Sequence, residues 1–347
     1  NYSFAVSGCT ITNNQAAASQ YSHCPLEFSG NPYIYNNYLD GKQANVIQKV
    51  NSQGSIENPF KVVDQLSNDA HIGVTTDATK DTVFATNEMQ DTSGNTIDLI
   101  HPNVFVYDSN PNLLTAAQDS SDATKIKWVD PVCRIPDMPT HNVFGSLQDA
   151  VYACPQAGVT AYTIEMLVEN YTVPSAVTFL EDQNIIITTS AELQASNKTA
   201  TLTKSSTKDY NLFEVNTGMY LRLFDLTFKG SSTAKEGRFI SVNESSAVVD
   251  LGPSPESGIS NPKYPTFKDN ASTESGGAIA VYSGTVQMYG GTIKDNKSQG
   301  NGGAVYIEAP GVFKALGGSI TGNQTNDEKG QKQGGAFYVS SGAELQL

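Results

Sequence analysis

The sequence predicts an all-β fold: a right-handed parallel β-helix (a solenoid) with a short N-terminal capping helix and an irregular β-rich N-terminal insertion. Three observations support this class: an internal repeat near the C-terminus, alternation of apolar and polar residues inside each copy, and a turn-rich composition. Only 16% of the 347 residues are charged, and 29 are glycine. Glycine, asparagine, serine and threonine disfavour helix interiors and favour turns, so short strands are expected.

The repeat consists of three aligned segments that begin at Phe267, Ile293 and Ile320. Each reads Phe/Ile-x-x-Asn, a polar loop, Gly-Gly-Ala, a short apolar strand, a turn and a second strand. The extra length of the last copy lies in its loop, where insertions are tolerated. The starts of the copies are 26 and then 27 residues apart. A nearly constant period of this size is typical of a solenoid whose copies stack on one another.

Within each copy the strand residues alternate, which predicts strands with one buried face. The expected inward columns are Ile279, Val305 and Phe337, and then Val281, Ile307 and Val339, with Ala280, Tyr306 and Tyr338 outward between them. Such columns indicate parallel sheets, and parallel crossovers are overwhelmingly right-handed. A β-sandwich of hairpins would not keep equivalent residues in columns at this spacing.

Three regions are predicted: a rung-like segment at 1–20, an irregular β-rich insertion at 21–140 that shows no repeat, and the β-helix at 141–347. From Thr163 onward there is room for about seven rungs. Just before them, Gly145–Cys154 has the apolar spacing of an amphipathic helix, with Ser146 as its N-cap. We expect this helix to cover the open end of the core.

The four cysteines are Cys9, Cys24, Cys133 and Cys154. Two bridges between near neighbours, Cys9–Cys24 and Cys133–Cys154, are the favoured pairing, although four cysteines allow three connectivities and four buried thiols are the alternative. Bridges would indicate an oxidising compartment, and hence an extracellular or cell-surface protein.

Seven Asn-x-Ser/Thr sequons are glycosylation candidates: Asn1, Asn170, Asn197, Asn243, Asn270, Asn296 and Asn323. The last three recur at one turn of the repeat. If they point inward, they form a hydrogen-bonded ladder between rungs; if outward, glycans line one edge of the solenoid. Asn170, Asn197 and Asn243 lie outside the motif and are the stronger candidates.

The net charge of −14 argues against nucleic acid and anionic lipid as partners. No stretch approaches the roughly 20 apolar residues of a membrane span. We find no catalytic, metal or cofactor motif, so no cofactor is expected. Arg222, Asp225 and Arg238 are the best residual constellation, with solvated surface charge the favoured interpretation. Glu181-Asp182 could bind Ca²⁺, although a solvated turn is again favoured.

The paired motifs Phe/Ile-x-x-Asn and Gly-Gly-Ala-Ile/Val/Phe, over Phe267–Leu347, resemble the repeats of chlamydial polymorphic membrane proteins, which are autotransporter-type surface adhesins. The helix followed by strands, from about Phe144, resembles the wider pectin-lyase-like β-helix superfamily. These resemblances imply a cell-surface or extracellular setting and adhesive or structural roles. The wider superfamily includes polysaccharide lyases and hydrolases, so a divergent lyase is a third interpretation behind a non-enzyme.

The two ends of the chain resemble each other. FAVSGCTITNNQA at 4–16 matches FKALGGSITGNQT at 313–325. The leading hypothesis is therefore a glycoprotein fibre, a head-to-tail homopolymer in which Phe4, Val6 and Ile11 extend the last strand, near Leu345 and Leu347, of the next subunit. The alternatives are a segment folded onto its own chain, an excerpt of a longer polypeptide, and a monomeric adhesin that stacks surface glycans on Tyr282, Tyr306 and Tyr338.

Overall fold

The structure is a computed structural model that describes the whole chain except residues 1–3, 13–14, 17–25, 36, 40–41, 44, 49, 57–58, 68, 100, 109–113, 120, 140–141, 157–159, 206–208, 231–236 and 326–331. It has two compact units. The N-terminal unit comprises Asn1–Arg134 and Met138–Ala153, and the C-terminal unit comprises Ile135–Asp137 and Cys154–Leu347. In the described ranges no helix is long and apolar enough to cross a membrane.

The C-terminal unit is a parallel β-solenoid in which each coil adds a strand to each of three long sheets. Sheet A contains Tyr162–Met166, Asn184–Thr189, Tyr220–Leu223, Val248–Leu251, Thr285–Met288, Val312–Ala315 and Glu344–Gln346. Sheet B contains Asn170–Val173, Ala200–Lys204, Leu226–Lys229, Thr266–Lys268, Thr292–Lys294 and Ser319–Thr321. Sheet C contains Val177–Thr178, Phe213–Val215, Ile240–Val242, Ile279–Val281, Val305–Ile307 and Phe337–Val339.

The later coils add a short sheet D between sheets B and C, made of Ala271–Ser272, Lys297–Ser298 and Gln324–Thr325. Two helical segments interrupt the coils: the α-helix Ala191–Ala195 and the 3₁₀ turn Pro255–Ser257. All of the paired strands in these four sheets run parallel. Among the described residues of the C-terminal unit, sheet A has seven strands, which agrees with the predicted number of rungs.

The predicted columns are confirmed by the strand register. In sheet C, Ile279 pairs with Val305 and Val305 with Phe337, and the outward Tyr306 pairs with Tyr338. Sheet B has a column of its own, in which Phe228 pairs with Phe267 and the two rings lie parallel with centroids 4.6 Å apart. Because every coil places its apolar side chains above those of the previous coil, the core is continuous along the stack.

The repeated asparagines form the inward ladder. Asn270 N–H donates to Oδ1 of Asn296 at 3.2 Å, and Asn296 N–H donates to Oδ1 of Asn323 at 3.0 Å. The side-chain amides also donate to main-chain carbonyls, from Asn296 to Phe267 at 3.1 Å and from Asn323 to Ile293 at 2.8 Å. Each asparagine thus satisfies the turn of a neighbouring coil, which stabilises the stack.

The N-terminal unit also contains stacked parallel strands. One run contains Phe4–Ser7, Leu26–Gly30, Phe60–Leu66 and Val83–Asn87, and the second contains Thr10–Thr12, Tyr33–Tyr35, His71–Thr76 and Phe105–Tyr107, with Val46–Gln48 also paired to His71–Thr76. An antiparallel hairpin, Thr115–Asp119 and Asp122–Val129, pairs with the last strand of each run and joins them into one sheet.

The remaining N-terminal elements are short. They are the strands Gln15–Ala16, Tyr38–Leu39, Lys42–Gln43, Cys133–Arg134 and Val143–Phe144, the 3₁₀ turn Pro102–Val104 and the helix Leu147–Ala153. The helix lies within the predicted span, and Ser146 caps it as predicted, since its Oγ accepts a hydrogen bond from Asp149 N–H at 3.0 Å. Its covering of a core end stays a prediction.

The ordered coils of the N-terminal unit differ from the irregular insertion expected at 21–140. The strand Leu26–Gly30 follows the first coil closely, whereas a longer segment separates it from Phe60–Leu66. Because loop lengths vary from coil to coil, equivalent apolar residues do not recur at a fixed period. The unit nevertheless has its own core, in which Phe28, Phe60 and Phe105 contact edge to face or in parallel.

The rung-like N-terminal segment folds onto its own chain. Phe4–Ser7 pairs in parallel with Leu26–Gly30, and Thr10–Thr12 pairs with Tyr33–Tyr35. Val6 is only 4% exposed, so it is part of the core of its own unit. This arrangement corresponds to one of the three alternatives and differs from a strand held ready for another subunit.

The described cysteines, Cys9, Cys133 and Cys154, differ in their exposure. Cys133 is buried, and its Sγ donates to the carbonyl of Ser146 at 3.5 Å. Cys154 is buried as well, and desolvation raises the pKa of its thiol to about 12. The predicted Cys133–Cys154 bridge would join a residue of each unit, and it stays a prediction. Cys9 is half-buried, and its predicted partner Cys24 lies outside the described residues.

Candidate functional site

A groove on the surface of the C-terminal unit is a candidate site. It lies where the first three strands of sheet A end, beneath the segment Gly252–Pro265, which leaves the solenoid between sheets A and B. The segment is fixed at the groove, because Asp225 N–H donates to the carbonyl of Lys263 at 3.2 Å. The groove has a volume of about 350 Å³, which suits a small molecule or one or two sugar rings.

The lining of the groove is amphipathic. Its apolar side is formed by Ile186, Phe224, Pro253 and Ile259. Its polar side is formed by Thr163, Thr188, Gln194, Ser260, Asn261, Asp225 and Lys263. Thr163 and Ile186 face outward on neighbouring strands of sheet A, where the alternation buries every second residue in the core. The roof residue Ile259 is 48% exposed.

Asp225 is the central polar residue of the groove. It occupies the left-handed region at φ 46°, in the turn between sheets A and B, and is only 5% exposed. Burial raises the pKa of its carboxyl, against the lowering effect of Lys263 and Thr199. Thr199 Oγ1 donates to Oδ1 at 3.3 Å, while Oδ2 is buried beside the Lys263 ammonium.

Lys263 balances the charge of this carboxylate. Its Nζ lies 3.5 Å from Oδ2 of Asp225, which is an ion-pair distance. The Lys263 side chain is 47% exposed, so water screens part of this attraction. With one carboxylate and one ammonium, the lining has no net charge, and its remaining polar groups are amides and hydroxyls.

Next to the groove, the outer face of sheet A carries a separate polar cluster. Arg222 pairs in register with Asp250, and Asp250 pairs with Gln287. Asp250 accepts a short hydrogen bond from the Tyr220 hydroxyl and another from Gln287 Nε2 at 3.1 Å. Arg222 donates to Asn184 and lies over the Tyr220 ring, 4.5 Å from its centroid. The residues paired with Asp250 on the two neighbouring strands are thus a cation, Arg222, and an amide, Gln287.

The predicted constellation of Arg222, Asp225 and Arg238 is not one site, because each residue has its own partners. Arg238 is 2% exposed and binds the carboxylate of Glu274 at 2.6 Å and the Tyr282 hydroxyl at 2.8 Å. At Glu181-Asp182, both residues are exposed, as expected for a solvated turn. Among the described residues, no group of three potential metal ligands comes together.

A column of tyrosines runs along the outer face of sheet C. The rings of Tyr306 and Tyr338 are parallel with centroids 5.5 Å apart, and Tyr282 meets Tyr306 edge to face at 5.9 Å. Each side chain is half-buried, so the predicted outward orientation is confirmed for Tyr306 and Tyr338. The Tyr306 hydroxyl donates to Glu308 at 3.1 Å, and burial together with this bond raises its pKa to about 12.

The sequons fall into two structural groups. Asn270 and Asn296 are 0% exposed in the ladder, and Asn323 is half-buried at its end. An amide used in this way is inaccessible for glycan transfer, so the structure removes Asn270 and Asn296 from the glycosylation candidates in the folded chain. Asn170 and Asn197 are exposed, and Asn243 is half-buried and donates to Asn216 at 3.1 Å. Asn1 lies outside the described residues.

The predicted assembly residues lie in different environments. Val6 is buried, whereas Ile11 is 40% exposed, and the side chain of Phe4 lies outside the described residues. Leu345 continues the inward column of sheet A by pairing with Phe313. Leu347 is 91% exposed. The apolar column of sheet A thus continues to the last strand.

Comparison with protein families finds a resemblance in the later coils. The model of the Chlamydia polymorphic membrane protein (Chlamydia_PMP) repeat matches residues 290–308. This stretch contains the strands Thr292–Lys294, Lys297–Ser298 and Val305–Ile307 and the buried Asn296. No curated protein and no solved structure shows significant similarity to the chain.

Proposed function

We propose that the chain is an adhesin-like protein of a cell surface, in which stacked parallel coils serve as a non-catalytic scaffold for contacts made by their outer faces. The observation that carries the proposal is the match at 290–308. That stretch contains both the ladder residue Asn296 and the Gly-Gly-Ala turn that leads into Val305–Ile307, so the resemblance covers the features that hold a coil in place.

We further propose that the solenoid is a right-handed, pectin-lyase-like β-helix and that the protein is an extracellular glycoprotein. Right-handedness is supported by the general preference of parallel crossovers. Glycosylation is supported by the exposure of Asn170 and Asn197. A non-catalytic role is supported by Asp250, whose register neighbours Arg222 and Gln287 offer no second carboxylate for acid–base catalysis.

The test combines location and adhesion. Antibodies raised against the exposed segment Pro255–Asn261 should label intact, unpermeabilised cells of the source organism. Beads coated with the full chain should be retained on at least one of a panel of cultured cell types, above beads coated with heat-unfolded protein. Labelling only after permeabilisation, together with no retention on any cell type, would refute the proposal.

Head-to-tail self-association is the second candidate, and the likeness of 4–16 to 313–325 favours it. The coils match in structure, because Thr10–Thr12 and Gln15–Ala16 correspond to Ser319–Thr321 and Gln324–Thr325. Since Val6 is buried in its own unit, association would join whole coils edge to edge and would not exchange a strand. Leu345→Asp should abolish concentration-dependent growth in sedimentation velocity. A wild-type chain that stays monomeric up to millimolar concentration would exclude this candidate.

A further inference from the structure

We infer that the groove beneath Gly252–Pro265 binds an uncharged saccharide of one or two rings, with Asp225 as its central hydrogen-bond acceptor. This inference rests on the proposed adhesive function and names the ligand class for it. The first observation is the Asp225 carboxylate, which lines the groove with Thr199 Oγ1 3.3 Å from its Oδ1 and Lys263 Nζ 3.5 Å from its Oδ2. A carboxylate can accept about four hydrogen bonds, so a ligand hydroxyl can donate to it beside these two partners.

The second observation is the charge of the lining. Lys263 Nζ lies 3.5 Å from Oδ2 of Asp225, so the carboxylate and the ammonium neutralise each other. An anionic ligand would have to compete with Asp225 for Lys263, and a cationic ligand would have to compete with Lys263 for Asp225. An uncharged ligand leaves the ion pair intact and can donate to the carboxylate while accepting from the ammonium. The electrostatics therefore favour a neutral ligand.

The third observation is the division of the lining into two sides. A pyranose ring has an apolar face of C–H groups and a rim of hydroxyls that donate and accept. In the groove, Phe224 and Ile259 supply apolar surface, and Thr188, Gln194 and Asn261 supply hydroxyl and amide groups. The volume of about 350 Å³ limits the occupant to about two rings. A longer chain of sugars would extend along the outer face of sheet A.

The groove is also held in shape before a ligand arrives. The segment Gly252–Pro265 above the groove is tied to the turn below it by the hydrogen bond that Asp225 N–H donates to the Lys263 carbonyl at 3.2 Å. Thr189 Oγ1 donates a short bond to the Asp225 carbonyl and accepts one from Ala200 N–H at 3.0 Å. These bonds fix the turn that carries the carboxylate. Fixed geometry reduces the entropy lost on binding, which matters most for weakly bound sugars.

The experiment uses the full chain and a defined set of probes. Saturation-transfer NMR should detect binding of at least one of the neutral disaccharides lactose, maltose, cellobiose and N,N′-diacetylchitobiose. The anionic probe digalacturonate and the cationic probe glucosamine should bind at least tenfold more weakly than the best neutral probe. If none of the neutral probes binds, or if an ionic probe binds best, the inference is wrong.

Three variants locate the binding. Asp225→Asn keeps the shape of the side chain but removes the carboxylate. Ile259→Asp places a charge on the exposed apolar residue of the segment above the groove. Each variant should bind the neutral probe at least tenfold more weakly than wild type. Asp250→Asn is the matched control, because Asp250 is likewise a buried carboxylate but lies in sheet A and does not line the groove; it should leave binding unchanged. Circular dichroism melts check that each variant is folded. If Asp225→Asn does not fold, the comparison of Ile259→Asp with wild type still tests the groove.

The outcomes separate this inference from the proposed function. If coated beads adhere to cells equally well with Asp225→Asn, Ile259→Asp and wild-type protein, adhesion stands and the saccharide groove is refuted as its basis. If the neutral probe binds and both variants lose it while no cell type retains the beads, the groove stands and the adhesin proposal fails. Release of new reducing ends from the bound disaccharide would overturn the non-catalytic role.

Discussion

The two units use the same hydrogen-bonding plan at their turns, but they differ in how regularly they repeat it. In the C-terminal unit, Asn323 Nδ2 donates to the carbonyl of Ile293 at 2.8 Å. In the N-terminal unit, Asn37 Nδ2 donates to the carbonyl of Ile11 at 2.9 Å. Both asparagines follow an isoleucine by three positions and bond the isoleucine of the coil before, so the same ladder step occurs in both units.

The ladders differ in what continues them. Three asparagines from successive coils make up the C-terminal ladder. The N-terminal ladder passes from Asn37 N–H to Oδ1 of Asn45 at 2.9 Å, from Asn45 N–H to Thr75 Oγ1 at 3.2 Å, and from Asn45 Nδ2 to Asp108 Oδ1 at 2.9 Å. A Cβ on Gly73 would overlap both the Asn45 amide and the Asp108 carboxylate, so only glycine fits there.

This difference shows that the fold needs a polar group at each turn but does not need the same residue or the same loop length. Threonine and aspartate can take the place of asparagine because both offer an oxygen that accepts main-chain or amide N–H groups. One consequence is that the N-terminal ladder ends on a titratable group, whereas each of the three C-terminal ladder side chains is an amide.

The largest effect is expected from Phe28→Ala, which tests whether the N-terminal unit has a core of its own. Phe28 is fully buried against Phe60 and Phe105, and truncating such a ring costs about 3–5 kcal/mol. Hydrogen exchange should accelerate at Phe60–Leu66 and stay unchanged at Ile279–Val281. The reciprocal control, Phe313→Ala, should do the opposite. Equal acceleration of both segments in either variant would show that the two cores unfold as one.

A smaller effect is expected from breaking each ladder. Asn37→Ala removes an amide that donates to Ile11, Tyr35 and Asn45. Asn296→Ala removes one that donates to Phe267 and Asn323. Each loss should cost about 2–3 kcal/mol. Chemical denaturation, followed by hydrogen exchange in each unit, measures the loss. The exposed Asn170→Ala is the control and should change stability by less than about 0.5 kcal/mol. An Asn37→Ala protein as stable as wild type would contradict the shared ladder plan.

The next effect is pH dependence confined to the N-terminal ladder. Burial raises the pKa of Asp108 from its ordinary value of 3.8. The folded state therefore binds more protons than the unfolded state above pH 3.8, and the contribution of Asp108 to stability falls as pH rises through its folded pKa. Lowering the pH from 7.5 to 4.5 should raise the protection factors of His71–Thr76, which are the exchange rates corrected for the intrinsic pH dependence of amide exchange. The rise should be smaller in Asp108→Asn.

A second buried carboxyl requires a control in that experiment. Desolvation raises the pKa of Asp149 to about 7. Its contribution to the stability of the fold therefore falls as pH rises from about 4 to about 7, in the same direction as that of Asp108. Asp149→Asn removes this contribution and leaves the ladder intact. If the pH response of His71–Thr76 disappears in Asp149→Asn and persists in Asp108→Asn, the ladder carboxylate is not its source.

The smallest effect on stability is expected from glycosylation, although its pattern distinguishes ladder asparagines from exposed ones. In material secreted by a glycosylating host, mass spectrometry should find glycans at Asn170 and Asn197 and none at Asn270 and Asn296. Enzymatic removal of these glycans should change stability by less than about 0.5 kcal/mol. Occupied Asn296 in folded protein would contradict the buried ladder.

The C-terminal coils could be predicted in detail because their loops vary little in length. The columns through Val305 and the cap at Ser146 follow from spacing alone, whereas spacing left both an inward and an outward orientation open for Asn296, and the structure shows the inward ladder. The N-terminal coils could not be predicted, because the segment between Gly30 and Phe60 shifts the period, and a ladder position occupied by Thr75 carries no motif.

The groove was missed for a different reason. The sequence predicts a possible site at Asp225, but it groups Asp225 with Arg222 and Arg238, which are near it along the chain. Its actual partner Lys263 lies in a segment with no repeat signal. The residues of the groove come from coils that are adjacent in space, and the fold brings Thr163, Ile186 and Asp225 together only after the register is known. The positive φ of Asp225 gives no signal in the sequence, because aspartate in a polar turn is ordinary.

The closing hairpin of the N-terminal unit has a spectroscopic consequence. The chain contains a single tryptophan, and Trp128 lies in that hairpin, fully buried and stacked on Phe84 with centroids 4.2 Å apart. Its emission should be blue in the native protein and should shift to the red when the hairpin separates from the coils. Intrinsic fluorescence thus monitors one half of the molecule only, and a titration in which it lags behind or precedes the circular dichroism signal would directly resolve two melting events in an unlabelled chain.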